Sequence, residues 1–83
     1  MTAKFDLLKQ MFLGNMVLIN SQKYGLTECI IEEMEEKSII SSRSHSGSVV
    51  INGTTYDRDS FSITGCKSIS YNDGIEVCTF EVL

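Results

Sequence analysis

The clearest pattern of apolar and polar positions runs from Ser48 to Leu83, where short β-branched and aromatic segments are separated by turn residues at hairpin spacing. Asn52-Gly53 stands between Val49-Val50-Ile51 and Thr54-Thr55-Tyr56. Both central positions of a type I′ turn need the positive φ that Asn and Gly tolerate best. Asn72-Asp73-Gly74, between Ser68-Ile69-Ser70-Tyr71 and Ile75-Glu76-Val77-Cys78, puts a glycine where a three-residue hairpin needs a left-handed residue. Phe61, Ile63, Ile69 and Tyr71 fall on odd positions and share a face if one strand runs through Gly65-Cys66-Lys67. With Tyr71 paired to Ile75, the residues Cys78, Phe80 and Val82 turn to the opposite face. A cover on one side of this sheet then leaves Phe80 and Val82 exposed, a row that calls for a protein partner or a second copy of the chain.

Towards the N-terminus, Phe5, Leu8, Met11 and Phe12 recur at helical spacing and predict an amphipathic helix from Lys4 to about Leu13, capped by Thr2 and stopped by Gly14-Asn15. Met16-Val17-Leu18-Ile19 reads as a short strand buried on both faces, and Asn20 to Gly25 as a loop with Tyr24 as a half-buried anchor. Leu26, Ile30 and Met34 recur at i, i+4 among glutamates and predict a second helix over 26–37. The alternative for Leu26 to Ile31 is a strand paired with Met16 to Ile19, with Cys29 and Ile31 on one face. Ser38 to Ser48, serine-rich around Arg43 and His45, reads as a flexible loop. The resulting fold class is α+β: one or two N-terminal helices packed on a four- to five-stranded antiparallel sheet formed mainly by residues 48–83, in a single domain over 1–83.

Composition narrows the function classes. At 83 residues the chain buries about 60–65% of the surface its unfolded form exposes, which leaves a thin core. Its 42% hydrophobic content is that of a folded domain. Net charge is −4 and no Lys/Arg cluster is present, so the phosphate-neutralising footprint of a direct nucleic-acid binder is missing. No apolar run approaches the roughly 20 residues that span a bilayer, and Asp6, Lys9 and Gln10 interrupt any signal-peptide core, so a cytoplasmic protein without a membrane partner is expected. The acidity is local: residues 26–37 carry −4, from five Glu and one Lys, whereas residues 1–25 carry +2. A glutamate-rich face offers a basic partner an electronegative patch, with Glu32, Glu33 and Glu36 as its contacts. Arg43 and His45, in the serine-rich stretch, are the other candidate partner-binding residues alongside Phe80 and Val82.

Catalytic and cofactor signatures do not emerge. Cys29, Cys66 and Cys78 are odd in number and read as reduced thiols. Together with His45 they form an arithmetically complete zinc set, but none of them lies at the close C-x2–4-C spacing that preorganises such a site. Each glycine sits at its own turn, so no phosphate loop is built. The expectation is a non-enzymatic protein–protein interaction module, an inhibitor or adaptor of viral or mobile-element type, without cofactor and with a homodimer through the C-terminal sheet as one mode of association. The alternatives are a metal- or thiol-dependent domain using Cys29, His45, Cys66 and Cys78, and an acidic decoy that occupies a nucleic-acid-binding protein.

Overall fold

The computed structural model describes the backbone of residues 3–40 and 45–83, and the side chains of these apart from 38–40, 45 and 46. In chain order the elements are helix α1 (Ala3–Phe12), strands β1 (Met16–Ser21), β2 (Gly25–Ile30), β3 (Met34–Ile40), β4 (His45–Ile51) and β5 (Thr54–Asp57), a 3-10 turn (Arg58–Ser60), then β6 (Phe61–Ile63), β7 (Ser68–Asn72) and β8 (Val77–Val82). Every strand pairing is antiparallel. The strands form a five-stranded sheet in the order β2-β1-β8-β7-β6 and a three-stranded sheet in the order β3-β4-β5. The α+β class therefore holds, with one helix on an antiparallel sheet.

Helix α1 forms where its apolar spacing places it, burying Phe5, Leu8 and Phe12. It ends at Gly14, whose φ of 82° is open to glycine and strained for most other residues. Phe12 meets Phe80 at a centroid distance of 5.7 Å, and the Lys4 ammonium donates to the Phe61 carbonyl at 3.1 Å. The helix thus covers the same sheet face that Val17, Ile69, Tyr71, Cys78 and Phe80 present. Val49, Ile51 and Tyr56 of the three-stranded sheet complete that core. Tyr56 stands edge-on to Tyr71 at 5.1 Å and to Phe80 at 5.5 Å, and Phe61 lies 4.7 Å from Tyr71. Such aromatic contacts add about 0.5–1.5 kcal/mol each beyond the area they bury.

The Asn52-Gly53 turn forms as the sequence predicts, with φ of 48° and 86° and with Ile51 opposite Thr54. Asn52 does more than turn the chain. Its Oδ1 accepts from the amides of Glu32 at 2.8 Å and Glu33 at 3.1 Å, and its Nδ2 donates to the Ile30 carbonyl at 2.8 Å. One side chain therefore fastens the tip of the β4–β5 hairpin to the segment by which the chain passes from one sheet to the other.

Residues 26–37 form no second helix; β2 and β3 take their place, and β2 pairs with β1 from Met16↔Ile30 to Ser21↔Gly25, as the alternative strand reading had it. The i, i+4 spacing there is too short to outweigh a ladder offered by β1. β1 is buried on one face, since Met16 is exposed and Leu18 half-buried. Much of the serine-rich stretch is strand: 38–40 belong to β3 and 45–48 to β4, while residues 41–44 lie outside the described residues. The chain reverses at 64–67 instead of running straight, yet Phe61↔Tyr71 and Ile63↔Ile69 still meet on one face because the hairpin preserves parity.

The largest correction concerns the last hairpin. Tyr71 pairs with Cys78 and Ile69 with Phe80, three residues away from the expected Tyr71–Ile75 register, and an odd shift exchanges the two faces of a strand. Phe80 is consequently 0% exposed in the core and Val82 packs half-buried against it, so neither forms an uncovered row. The cause is the Asp73 carboxylate: Oδ1 accepts from the amides of Ile75 at 2.8 Å and Glu76 at 2.7 Å, drawing both residues into the loop.

Replacing Asn52 with Gly keeps the positive φ but removes the side-chain ties, and is expected to lower unfolding free energy by about 1–2 kcal/mol. Ala at the same position adds roughly 1 kcal/mol for the left-handed backbone. Urea denaturation at unchanged slope checks both, and wild-type stability in Asn52→Gly would show the ties to be inert.

Candidate functional site

Among the described residues, nothing covers the face of the five-stranded sheet turned away from helix α1 and the three-stranded sheet. On it, Leu18 of β1 stands directly opposite Glu28 of β2 on one side and Glu81 of β8 on the other. Met16 opposite Ile30 and Asn20 opposite Leu26 continue the face along β1 and β2. Leu26 is 68% exposed and Ile30 49%. Across β8 and β7 the outward positions are Val77, Thr79, Ser68, Ser70 and Asn72, so no Lys or Arg stands on this face among the paired positions. Neither Glu28 nor Glu81 has an ion-pair partner among the described residues. An apolar patch on β1 and β2, flanked by two carboxylates, results.

On the other side of β2 a cleft of about 220 Å³ separates its inward positions, Gly25 and Thr27, from Thr54 and Tyr56 of β5. Both β2 and β5 are edge strands, so no ladder closes the gap between them. Ser21 and Glu76 form its floor, joined by a hydrogen bond from Ser21 Oγ to Glu76 Oε1 at 3.0 Å. The same Ser21 oxygen accepts from the amides of Lys23 at 3.2 Å and Tyr24 at 3.0 Å, which holds the β1–β2 turn and sets Tyr24 at the rim. Tyr24 is 72% exposed, not the half-buried anchor expected, and the Lys23 ammonium lies 5.4 Å from its ring centroid. Burial, with the Cys78 thiol and the Glu76 carboxylate nearby, pushes the Tyr56 phenol up to about 12.

The residues singled out from sequence are scattered by the fold. Glu32 and Glu33 lie exposed on the β2–β3 connection, whereas Glu36 of β3 turns its carboxylate to Arg58 at 3.3 Å, with the glutamate side chain 5% exposed. The three glutamates therefore do not share a helix face, and the acidic run is divided between β2, its connection and β3. Arg43 lies outside the described residues; His45 opens β4, its side chain likewise outside them. Cys29 is half-buried on β2, Cys66 exposed between β6 and β7, and Cys78 buried on β8. Among the described residues no three His, Cys, Asp or Glu side chains group as metal ligands. Burial, then Glu76 and Asp73, pushes the Cys78 thiol up to about 11, away from the thiolate that nucleophilic or metal chemistry needs.

No family model, curated protein or solved structure matches the chain. Sequence reasoning missed Tyr24, Tyr56 and Glu76 as one group, because they come from the β1–β2 turn, β5 and the β7–β8 loop and meet through non-local pairing alone.

Two measurements follow from the thiol and phenol environments. In the native protein at about pH 8, a thiol reagent is expected to modify Cys66 well before Cys78, which reacts on unfolding. Cys78 is raised from an ordinary 9.0 to about 11 and Tyr56 from 10.0 to about 12, so the unfolded chain loses these protons first. The contribution of these two groups to stability is thus complete below about pH 9 and is lost as pH rises towards about 12. Urea midpoints across that range check this; a flat profile would contradict the burial of both groups.

Proposed function

We propose that the protein is a small non-enzymatic interaction module, of inhibitor or adaptor type, that docks a basic protein partner on the outer face of its five-stranded sheet. The observation that carries this reading is the uncovered face itself: Met16, Leu18, Leu26 and Ile30 beside Glu28 and Glu81, with no basic residue among its paired positions. Apolar contacts supply affinity, and two carboxylates without ion-pair partners favour a cationic surface and accelerate its approach. A second copy meeting this face across a two-fold axis would bring like charges together, so a heterologous partner suits it better than a homodimer.

The thiols and hydroxyls support a binding role over a catalytic one. Ser21 spends its proton on Glu76 and its lone pairs on two turn amides, and Cys78 holds its proton well above neutral pH. Each serves the fold.

Affinity capture from the native host, comparing wild type with two variants, tests the proposal. Leu26→Thr/Ile30→Thr preserves strand propensity while removing apolar surface, and Glu28→Lys/Glu81→Lys reverses the charge. Each double variant is expected to weaken the captured partner at least about tenfold, a loss of about 1.4 kcal/mol or more, and the charge reversal is expected to invert the salt dependence, because lysines repel a basic surface. Glu35→Lys on β3 serves as the control and should bind as wild type. A partner held equally by all of these proteins docks elsewhere, and the proposed face is then wrong.

A further inference from the structure

The cleft between the free edges of β2 and β5 is built differently from the outer face, and its chemistry points to a different ligand. Its volume of about 220 Å³ equals about seven waters at liquid density, enough for a small polar head and a short stem. It holds one carboxylate, Glu76, and its lining contains no Lys, Arg or His. Ser21 anchors Glu76 through Oε1 at 3.0 Å, while Oε2 has no hydrogen-bond partner among the described residues. The Tyr56 hydroxyl likewise has none there, yet its ring is held in place by Phe61, Tyr71 and Phe80. At the rim, Tyr24 already attracts the ammonium of Lys23 to 5.4 Å from its ring centroid.

These features select among ligands. An anion meets the Glu76 charge with no cationic side chain in the lining to receive it, Lys23 standing outside at the rim. A neutral apolar group leaves the free Glu76 oxygen and the Tyr56 hydroxyl desolvated and unpaired, which is unfavourable. A divalent metal needs more oxygen ligands than one carboxylate supplies, and no metal-ligating group of three forms among the described residues. A cation that carries N–H donors on an apolar stem suits these groups: N–H to Glu76 Oε2 and to the Tyr56 oxygen, charge against the Tyr24 ring in place of the Lys23 ammonium, and stem along Thr27 and Thr54. We infer that this cleft binds an alkylammonium or guanidinium cation. Two sources share that chemistry, a free small amine and the Lys or Arg side chain of a peptide. The cleft and the outer docking face lie on opposite sides of β2, so this inference stands or falls without the proposed partner.

Amide-resolved NMR titration of the intact chain tests it with four probes: butylammonium, ethylguanidinium, and the capped amino acids N-acetyl-lysine methylamide and N-acetyl-arginine methylamide. Saturable shifts are expected at Thr27, Thr54, Tyr56 and Glu76 with Kd on the order of 1–10 mM, the range for ligands of this few atoms. Glu76→Gln retains an acceptor for Ser21 and should weaken binding at least about fivefold, the effect of removing a charge-assisted hydrogen bond. Tyr24→Ser, at an exposed position, should weaken it about two- to fivefold by removing the ring. Glu35→Gln on β3, outside the cleft lining, should leave it unchanged. Tighter binding of the capped amino acids assigns a peptide side chain as the ligand; otherwise a free amine is assigned. No saturable shift at about 50 mM of any probe, far above the expected Kd, overturns the inference. Equal affinity in wild type, Glu76→Gln and Tyr24→Ser overturns it as well.

Discussion

The register of the β7–β8 hairpin depends on one carboxylate. Asp73 accepts from the amides of Ile75 and Glu76 and from the Tyr71 hydroxyl, the last at 2.7 Å, and these contacts hold it below the usual carboxylate range, the Glu76 amide first among them. A four-residue loop results, and with it the pairing of Tyr71 with Cys78. Everything central follows from that pairing. Phe80 turns inward to meet Phe12 and Tyr56, the helix finds an apolar surface to cover, and Glu76 is left at the loop's end where Ser21 can reach it. Tyr71 couples the loop to the other sheet as well, because its hydroxyl accepts from the amide of Asp57 at 2.9 Å. The phenol that orders the loop thus also ties β5 down, and burial raises its pKa above the ordinary range.

What was legible in the sequence was local. The Asn52-Gly53 turn needs a positive φ at two adjacent residues, and few residue pairs provide it, so two letters predict a hairpin. Helix α1 is a single apolar stripe with a glycine after it. Asn72-Asp73-Gly74 was legible as a turn but not as a register, because the Asp73 side chain extends the loop through Ile75, a β-branched residue that reads as the start of a strand and stands exposed instead. A shift of three residues then reversed the reading of Phe80 and Val82. Residues 26–37 failed for the converse reason: the local spacing is helical, while the competing ladder with β1 is formed by residues four to fourteen positions away.

Both candidate surfaces are non-local in the same sense. The outer face joins β1 and β2 to the chain's last strand, and the cleft joins the first turn to β5 and to a loop fifty residues later, with Ser21 and Glu76 in contact across it. The sequence announces acidity around 26–37, and the fold then divides it. Glu28 goes to the outer face, Glu32 and Glu33 to the sheet-to-sheet passage, and Glu36 into an enclosed ion pair. A single charge run thereby serves three different physical purposes, which explains why counting charges along the chain does not locate a contact surface.

The enclosed pair has one further condition. Gly47, inside β4, faces the Arg58 guanidinium so closely that a Cβ at that position would overlap it. Arg58 lies flat over a strand because that position has no side chain, and from there it reaches Glu36 and Asp59. Positions 36, 47 and 58 are therefore physically coupled. A methyl group at 47 would overlap the guanidinium and oblige it to move, so the place of Arg58 over β4, and its reach to Glu36, rests on a position without a side chain.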